Sequence, residues 1–248
     1  MSPDPATPNL AGHHILLCCD CEGTRRQLTD LWQAIDRAGV AANFFFVGET
    51  ALQFPALVRA IAERHQAESH TLRHQRLRGM SLKRQRFAIA EGRHVVEDTI
   101  GRPTRGFRAP CHAIDANTAR VLVEEDFTFD ASGLYYRWVD FGPVVELRPT
   151  WFREWMPLYA RLGLSPATTY GLFRWLVRHN RLCVLPAHPH YAALDEELLC
   201  AFEGFLRWAK AGGATFWPID KWLAAEHGVA PPEWVSPLGP PLARRQRP

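Results

Sequence analysis

Residues 13–24 read HHILLCCDCEGT, an apolar run from Ile15 to Cys19 that ends in two acids, Asp20 and Glu22, one residue apart. A short apolar run bounded by polar residues fits a strand buried on both faces, as parallel sheets require. Acids at its end admit two explanations. They are a polar turn that stops the strand, or they are carboxylates displayed at the rim of a sheet. The second needs partners elsewhere in the chain.

Outward from this strand the pattern alternates. Leu28, Leu31, Trp32 and Ile35 recur at helical spacing and Gly39 stops that helix. VAANFFFVG (40–48) reads as a second strand, and a helix starts near Pro55, where the first turn tolerates proline. Ser81 is the expected N-cap of a helix running to Gly101, and Asp115 that of another through about Glu125. FTFDASG (127–133), RLCVLPAH (181–188) and ATFWPID (214–220) are further strands. Leu198, Phe202, Phe205 and Leu206 mark a helix between the last two. Strand–helix–strand repetition implies parallel strands and right-handed crossovers, so an α/β open sheet or a (β/α) barrel. In either, functional groups belong at the C-terminal ends of strands, where Asp20, Asp130 and His188 fall.

The 248 residues allow two small domains or one larger barrel, and 47% hydrophobic content is ample for a core. No segment is apolar over a bilayer-spanning length. A net charge of +3 is too small to argue for nucleic acid. Residues 1–12 lack the basic and apolar regions of a secretory signal and are expected to be a short disordered arm. The expected domain covers 13–227, and the Pro-rich 228–248 is expected to be an extended tail. Cys18, Cys19 and Cys21 crowd one strand, which suits reduced core thiols in the cytoplasm; Cys18 and Cys21 would face opposite sides, so they offer no zinc pair.

Three further clusters carry chemical potential. ESHTLRH sets His70 and His74 four apart, so that one helical turn or a tight loop could bring both to one metal; in a chain with 11 histidines the pair alone is a weak signal. In GFRAPCH, Arg108 is either a surface arginine or a guanidinium orienting a carboxylate in a fixed fork. In LPAHPHY, His188 and His190 close an apolar strand, as proton donors or as surface residues.

The order of these segments carries more weight than any one of them. D-x-E, then H-x-x-x-H, then FRAP, then an aromatic-Asp-Ala-Ser, then an apolar strand ending in His-Pro resembles the polysaccharide deacetylase family. This family is also called carbohydrate esterase family 4 or the NodB homology domain. The resemblance covers roughly residues 14–220. It implies a deformed (β/α) barrel in a single domain, with one divalent metal, most often zinc. It matches His70 and His74 to the two histidine ligands, and Arg108 to the arginine that holds the catalytic base. It matches His188 to the general acid and Asp130 to a family aspartate. The backbone N–H of Cys111 takes the oxyanion role. The family's first motif, Thr-Phe-Asp-Asp-Gly, departs here to DCE. Asp20 is then the base and Glu22 the third ligand, with a Cys21 thiolate the other ligand candidate.

The activity implied is metal-dependent hydrolysis of an N-acetyl or other short N-acyl group on an amino-sugar substrate; the missing signal pattern makes the cytoplasm the expected place. The alternatives are deformylation or deacetylation of a lipid-linked sugar at a membrane surface, and a metal- or sugar-binding homologue that has lost turnover. Residues 148–179, rich in Trp and Arg, are expected to be a cover on the barrel or the lining of a sugar cleft. The alternative for that segment is a peripheral membrane contact.

Overall fold

The computed structural model describes residues 8–133, 141–150 and 162–228. Strand β1 (His14–Cys21) is buried along almost its whole length, with a period of two. Leu16 and Cys18 join one apolar cluster, while Ile15, Leu17, Cys19 and Cys21 join another on the opposite face. Helix α1 (Arg25–Ala38) covers the second face with Leu28, Leu31, Ala34 and Ile35. It starts in a capping box between Thr24 and Gln27 and ends at Gly39 in the left-handed conformation.

The chain then alternates through β2 (Asn43–Phe46), α2 (Gly48–Gln53), α3 (Pro55–Ala62), β3 (Gln66–Ser69), α4 (Leu82–Ile100) and β4 (Gly106–Phe107). A 3₁₀ turn at Pro110–His112 leads to α5 (Ala116–Glu124), β5 (Phe129–Asp130) and β6 (Val145–Glu146). Helix α6 (Pro166–His179), β7 (Leu182–Ala187), α7 (Pro189–Ala192), α8 (Glu196–Ala211), β8 (Thr215–Phe216) and α9 (Ile219–His227) complete it. All pairings are parallel, in the order β6-β5-β4-β3-β2-β1-β7, with β8 against the start of β1. Thr150 bridges the two ends of this curled sheet. Its N–H donates to Val184 O at 2.9 Å and its Oγ1 accepts from Val184 N at 2.9 Å. The fold is the deformed α/β barrel expected.

One flank of β1 is shared: β8 pairs with His14 and Ile15, and β2 with Cys18 through Cys21. Asn43 fills the fork. Its Nδ2 donates to Leu17 O and Trp217 O, both at 3.1 Å, and its Oδ1 accepts from Ile219 N at 2.8 Å. The last of these bonds pins the start of α9, whose Ile219, Trp222 and Leu223 join the cluster of Leu16, Cys18, Phe45 and Phe129. Gly106 is obligatory in β4, because a Cβ there would lie 2.0 Å from the Phe129 ring.

Two expected boundaries differ. Residues 8–12 of the expected N-terminal arm are packed: Leu10 is buried in the core and its N–H bonds to Gly212 O at 2.6 Å. Burying Leu10 against the α8–β8 turn, with its backbone bond to Gly212, offsets part of the entropy of ordering so short a segment. Strands β3 and β4 are present where no apolar run marks them. Of the segment 148–179, residues 151–161 lie outside the described residues. In the described part, α6 packs Tyr170 and Phe173 on Phe202 and Phe205 of α8, as a cover outside the sheet. Of the expected tail, 229–248 lie outside the described residues.

Glu68 explains the polar β3. Its buried carboxylate accepts from Arg105 N (2.9 Å), Gly106 N (2.6 Å) and Gln66 Nε2 (2.6 Å), tying β3 to the start of β4. Burial, with Asp220 adding to it, raises its pKa from 4.5 to about 7, against the pull of these three donors.

Two outcomes are expected. Asn43→Leu removes three hydrogen bonds to backbone groups, two of them buried, and should lower unfolding stability by about 3 kcal/mol in urea titrations. Glu68 stays protonated in the folded chain while the unfolded chain ionises, so its contribution is full at acid pH and declines as pH rises from about 4.5 to 7. The stability advantage of wild type over Glu68→Gln should therefore shrink across that window; an advantage that grows with pH would contradict the burial-dominated balance.

Candidate active site

The C-terminal ends of β1, β3, β4 and β7 bring the candidate groups to one rim. Asp20 is the last inward position of β1 before Glu22, two residues on, and the Glu22 N–H folds back to Asp20 O at 3.0 Å. Arg108, wholly buried, follows β4 and places Nε 2.7 Å from Asp20 Oδ1. His188 follows β7 and sets Nε2 3.3 Å from Asp20 Oδ2. Burial opposes ionisation of Asp20, yet Arg108, His70 and His188 together hold its carboxyl well below the usual range. It is an ionised carboxylate in a nearly dry setting.

His70 lies just past β3, and its loop is built to hold it. Gly48 N donates to Thr71 O and Glu49 N to Leu72 O, both at 2.9 Å, while Leu72 N donates to Ala88 O of α4 at 2.9 Å. Gly92 of α4 lies so close that a Cβ would sit 2.4 Å from Thr71 C. Thr71 and His74 turn through positive φ (64° and 54°), so the two histidines lie in a tight loop and not on a helix. Their rings are 5.1 Å apart. Nδ1 of His70 donates to Arg108 O at 2.6 Å, which leaves Nε2 as a bare lone pair; that atom is buried without a partner. Burial lowers the pKa of His70 to about 4, against the pull of Asp20, so the ring is neutral.

Glu22 is held by histidines: His74 Nε2 lies 2.9 Å from its Oε2, His190 Nδ1 3.8 Å and His188 Nε2 4.0 Å from its Oε1. Burial works against its ionisation, but His74, His188 and His190 keep its pKa below the ordinary value. Cys21 is corrected as a ligand candidate. The strand alternation turns it away from Asp20 and Glu22 into the apolar cluster under α1, where burial raises its pKa well above the ordinary value.

Asp130 is buried within electrostatic reach of Arg108, and its hydrogen bonds go to Ser132. It accepts from Ser132 N at 3.0 Å and Ser132 Oγ at 2.6 Å, and Ser132 Oγ in turn accepts from Ala109 N at 2.7 Å. Burial, reinforced by Glu146, raises its pKa to about 7 against the Ser132 bonds. Cys111 sits in the turn after Arg108 at φ 54°. His112, which carried no sequence signal, is within 3.4 Å of Arg108.

A divalent metal is implied by the resemblance. The donor chemistry fits: a neutral imidazole with a bare buried nitrogen, its tautomer fixed by a backbone carbonyl, next to a second imidazole and a carboxylate. Among the described residues no three such side chains form a ligand cluster, and His74 Nε2 lies 2.9 Å from Glu22 Oε2.

A parallel barrel with an acid–histidine site on its C-terminal rim defines the class. The model of the polysaccharide deacetylase family matches residues 9–129, from the approach to β1 through β5. No curated protein matches the chain. Among solved structures, a protein assigned as a polysaccharide deacetylase from Mycobacterium smegmatis is similar at TM-score 0.74 and 21% identity, covering 92% of this chain and 96% of that one. A family 4 carbohydrate esterase from Streptomyces lividans, in complex with acetate, gives 0.63 and 16%, covering 83% and 92%. A family 4 pseudoenzyme from Bacillus anthracis gives 0.62 and 12%, covering 87% and 67%. The chain is thus similar to the polysaccharide deacetylase family over residues 9–129, and these solved structures share its fold.

Zinc titration with thermal melting and metal analysis tests the ligand set. Wild type should bind about one ion per chain and melt higher with it, and His70→Ala and His74→Ala should lose both effects. Gly92→Ala, which touches no ligand, should push the 70–74 loop aside and weaken zinc binding by about tenfold or more. Full zinc retention in the His70/His74 double variant would remove the assignment.

Proposed function

We propose that the chain is a metal-dependent hydrolase that removes an N-acetyl or other short N-acyl group from an amino-sugar substrate. The observation that carries this is Asp20: a buried, ionised carboxylate clamped by Arg108 on one oxygen and faced by His188 on the other, beside the bare Nε2 of His70. His70, His74 and Glu22 would hold the metal, most suitably zinc, which when bound supplies an activated water and a polarised acyl carbonyl.

Asp20 takes the proton from the attacking water, and Arg108 keeps it ionised and in place for that task. His188 gives a proton to the departing amine. It is the better candidate than His190, because it alone of the two lies against Asp20 and is the less exposed, 17% against 30%. The Cys111 N–H is assigned to the developing oxyanion. Asp130 acts one step removed, through Ser132 and the backbone of Ala109. Three cysteines crowded on β1, too close along one strand to pair across the fold, suit reduced thiols and support an intracellular site of action as part of the proposal.

A second reading is favoured by two observations: Cys21 replaces the second acid of the first motif, and a wild-type pseudoenzyme shares the fold. In it the chain binds metal or sugar without turnover.

Assays on N-acetylated amino-sugar oligomers decide between them. Asp20→Asn should keep its metal and lose on the order of 10² or more in kcat. His188→Asn should lose most activity and the alkaline limb of a bell-shaped kcat/KM profile, and His190→Asn should be far milder. Folded, zinc-loaded wild type that is inert on every N-acyl substrate would establish the second reading. An inactive His190→Asn beside an active His188→Asn would exchange the two histidines.

A further inference from the structure

Three nitrogens of the buried Arg108 guanidinium are engaged. Nε faces Asp20 Oδ1 at 2.7 Å, Nη1 donates to Ala131 O at 2.7 Å, and Nη2 points at His112 Nε2 at 3.4 Å. The other nitrogen of His112, Nδ1, lies 2.9 Å from Ser132 O. A carbonyl oxygen only accepts and a guanidinium only donates, so both neighbours demand one tautomer. Nδ1 carries the proton and Nε2 presents the lone pair.

We infer that His112 is a positioning residue for the reaction proposed above, its neutral imidazole serving as the acceptor that aligns Arg108 on the base Asp20. The inference rests on the deacetylase reading of the site, but the contact itself does not. A second feature supports it. Cys111 and His112 both adopt positive φ, 54° and 52°, a conformation that side chains with a Cβ rarely take, and here two occur in succession. The reversal after Pro110 returns the imidazole to the arginine four residues earlier, closed by His112 N to Ala109 O at 3.0 Å. Strain of this kind persists where the surroundings over-determine it. Ser132 does so here. Asp130 fixes its N–H and hydroxyl, and Ser132 then holds Ala109 N through Oγ and His112 Nδ1 through its carbonyl. Burial, seconded by Arg108, lowers the pKa of His112 to about 3, which keeps the acceptor free of a proton.

The test separates the two nitrogens. Glutamine at this position can bring an oxygen to the place of Nε2, asparagine can reproduce only the donor to Ser132 O, and leucine does neither. His112→Asn and His112→Leu should lose kcat by on the order of 10², as a misaligned catalytic group does. His112→Gln should stay within about fivefold of wild type, with KM and zinc content unchanged in all three. Asparagine matching glutamine, or leucine matching wild type, would overturn the inference. A measurement independent of turnover accompanies it: ¹⁵N-histidine NMR of the whole chain should show His112 as the Nδ1–H tautomer from about pH 5 to 8, a range in which an ordinary histidine titrates. The Nη2 proton signal of Arg108 should survive in His112→Gln and vanish in His112→Asn. An Nε2–H tautomer or an imidazolium in that range refutes the contact. Should wild type hydrolyse no N-acyl substrate, these spectra still judge His112, and only the deacetylase reading falls.

Discussion

The site depends on one ion pair out of water. Arg108 has no exposed surface and Asp20 has 4%, so neither charge is hydrated and each is tolerable only through the other. Removing one partner of such a pair costs about 3–5 kcal/mol, because an uncompensated charge stays behind. The surroundings complete the compensation: Ala131 O and His112 take the other guanidinium nitrogens, and Arg108 O fixes the tautomer of His70. The same arginine thus touches Asp20, the proposed base, with its side chain and His70, a proposed metal ligand, with its backbone. A single residue sets these two side chains against each other.

Much of this was visible before any coordinate. β1, β2, β7 and the helices α1, α4, α5 and α8 follow from apolar periodicity, from the stop at Gly39 and from the N-cap positions Ser81 and Asp115. The sequence leaves a Cys21 thiolate open as a ligand, and it is the structure that places Cys21 in the apolar cluster under α1. What escaped has physical causes. β3 reads QAES because Glu68 spends its carboxylate on the backbone of Arg105 and Gly106, so no apolar pattern marks a strand. β4 is two residues long and takes its shape from Phe129, twenty-odd residues later. His112 is invisible because its role follows from a left-handed turn, which no spacing rule encodes. Leu10 lay in a segment whose composition is that of a loop; its burial depends on a groove formed by Gly212 and its neighbours.

His74 and Glu22 are each the nearest counter-group for the other, and their contact keeps a partly buried carboxylate satisfied.

The shared flank of β1 sets the order in which the molecule can be completed. Strand β1 carries three thiols and takes two of its three partners from β7 and β8, with His14 and Thr215 about 200 residues apart. Until those arrive, one edge of β1 has only β2 beside it, and contacts this distant in sequence close slowly. During synthesis the segment ILLCC is an unpaired, uncharged edge of the kind that associates with other chains. Asp20 at its end works against such association while the barrel is still open, a charged brake on aggregation, long before it has an arginine to bind.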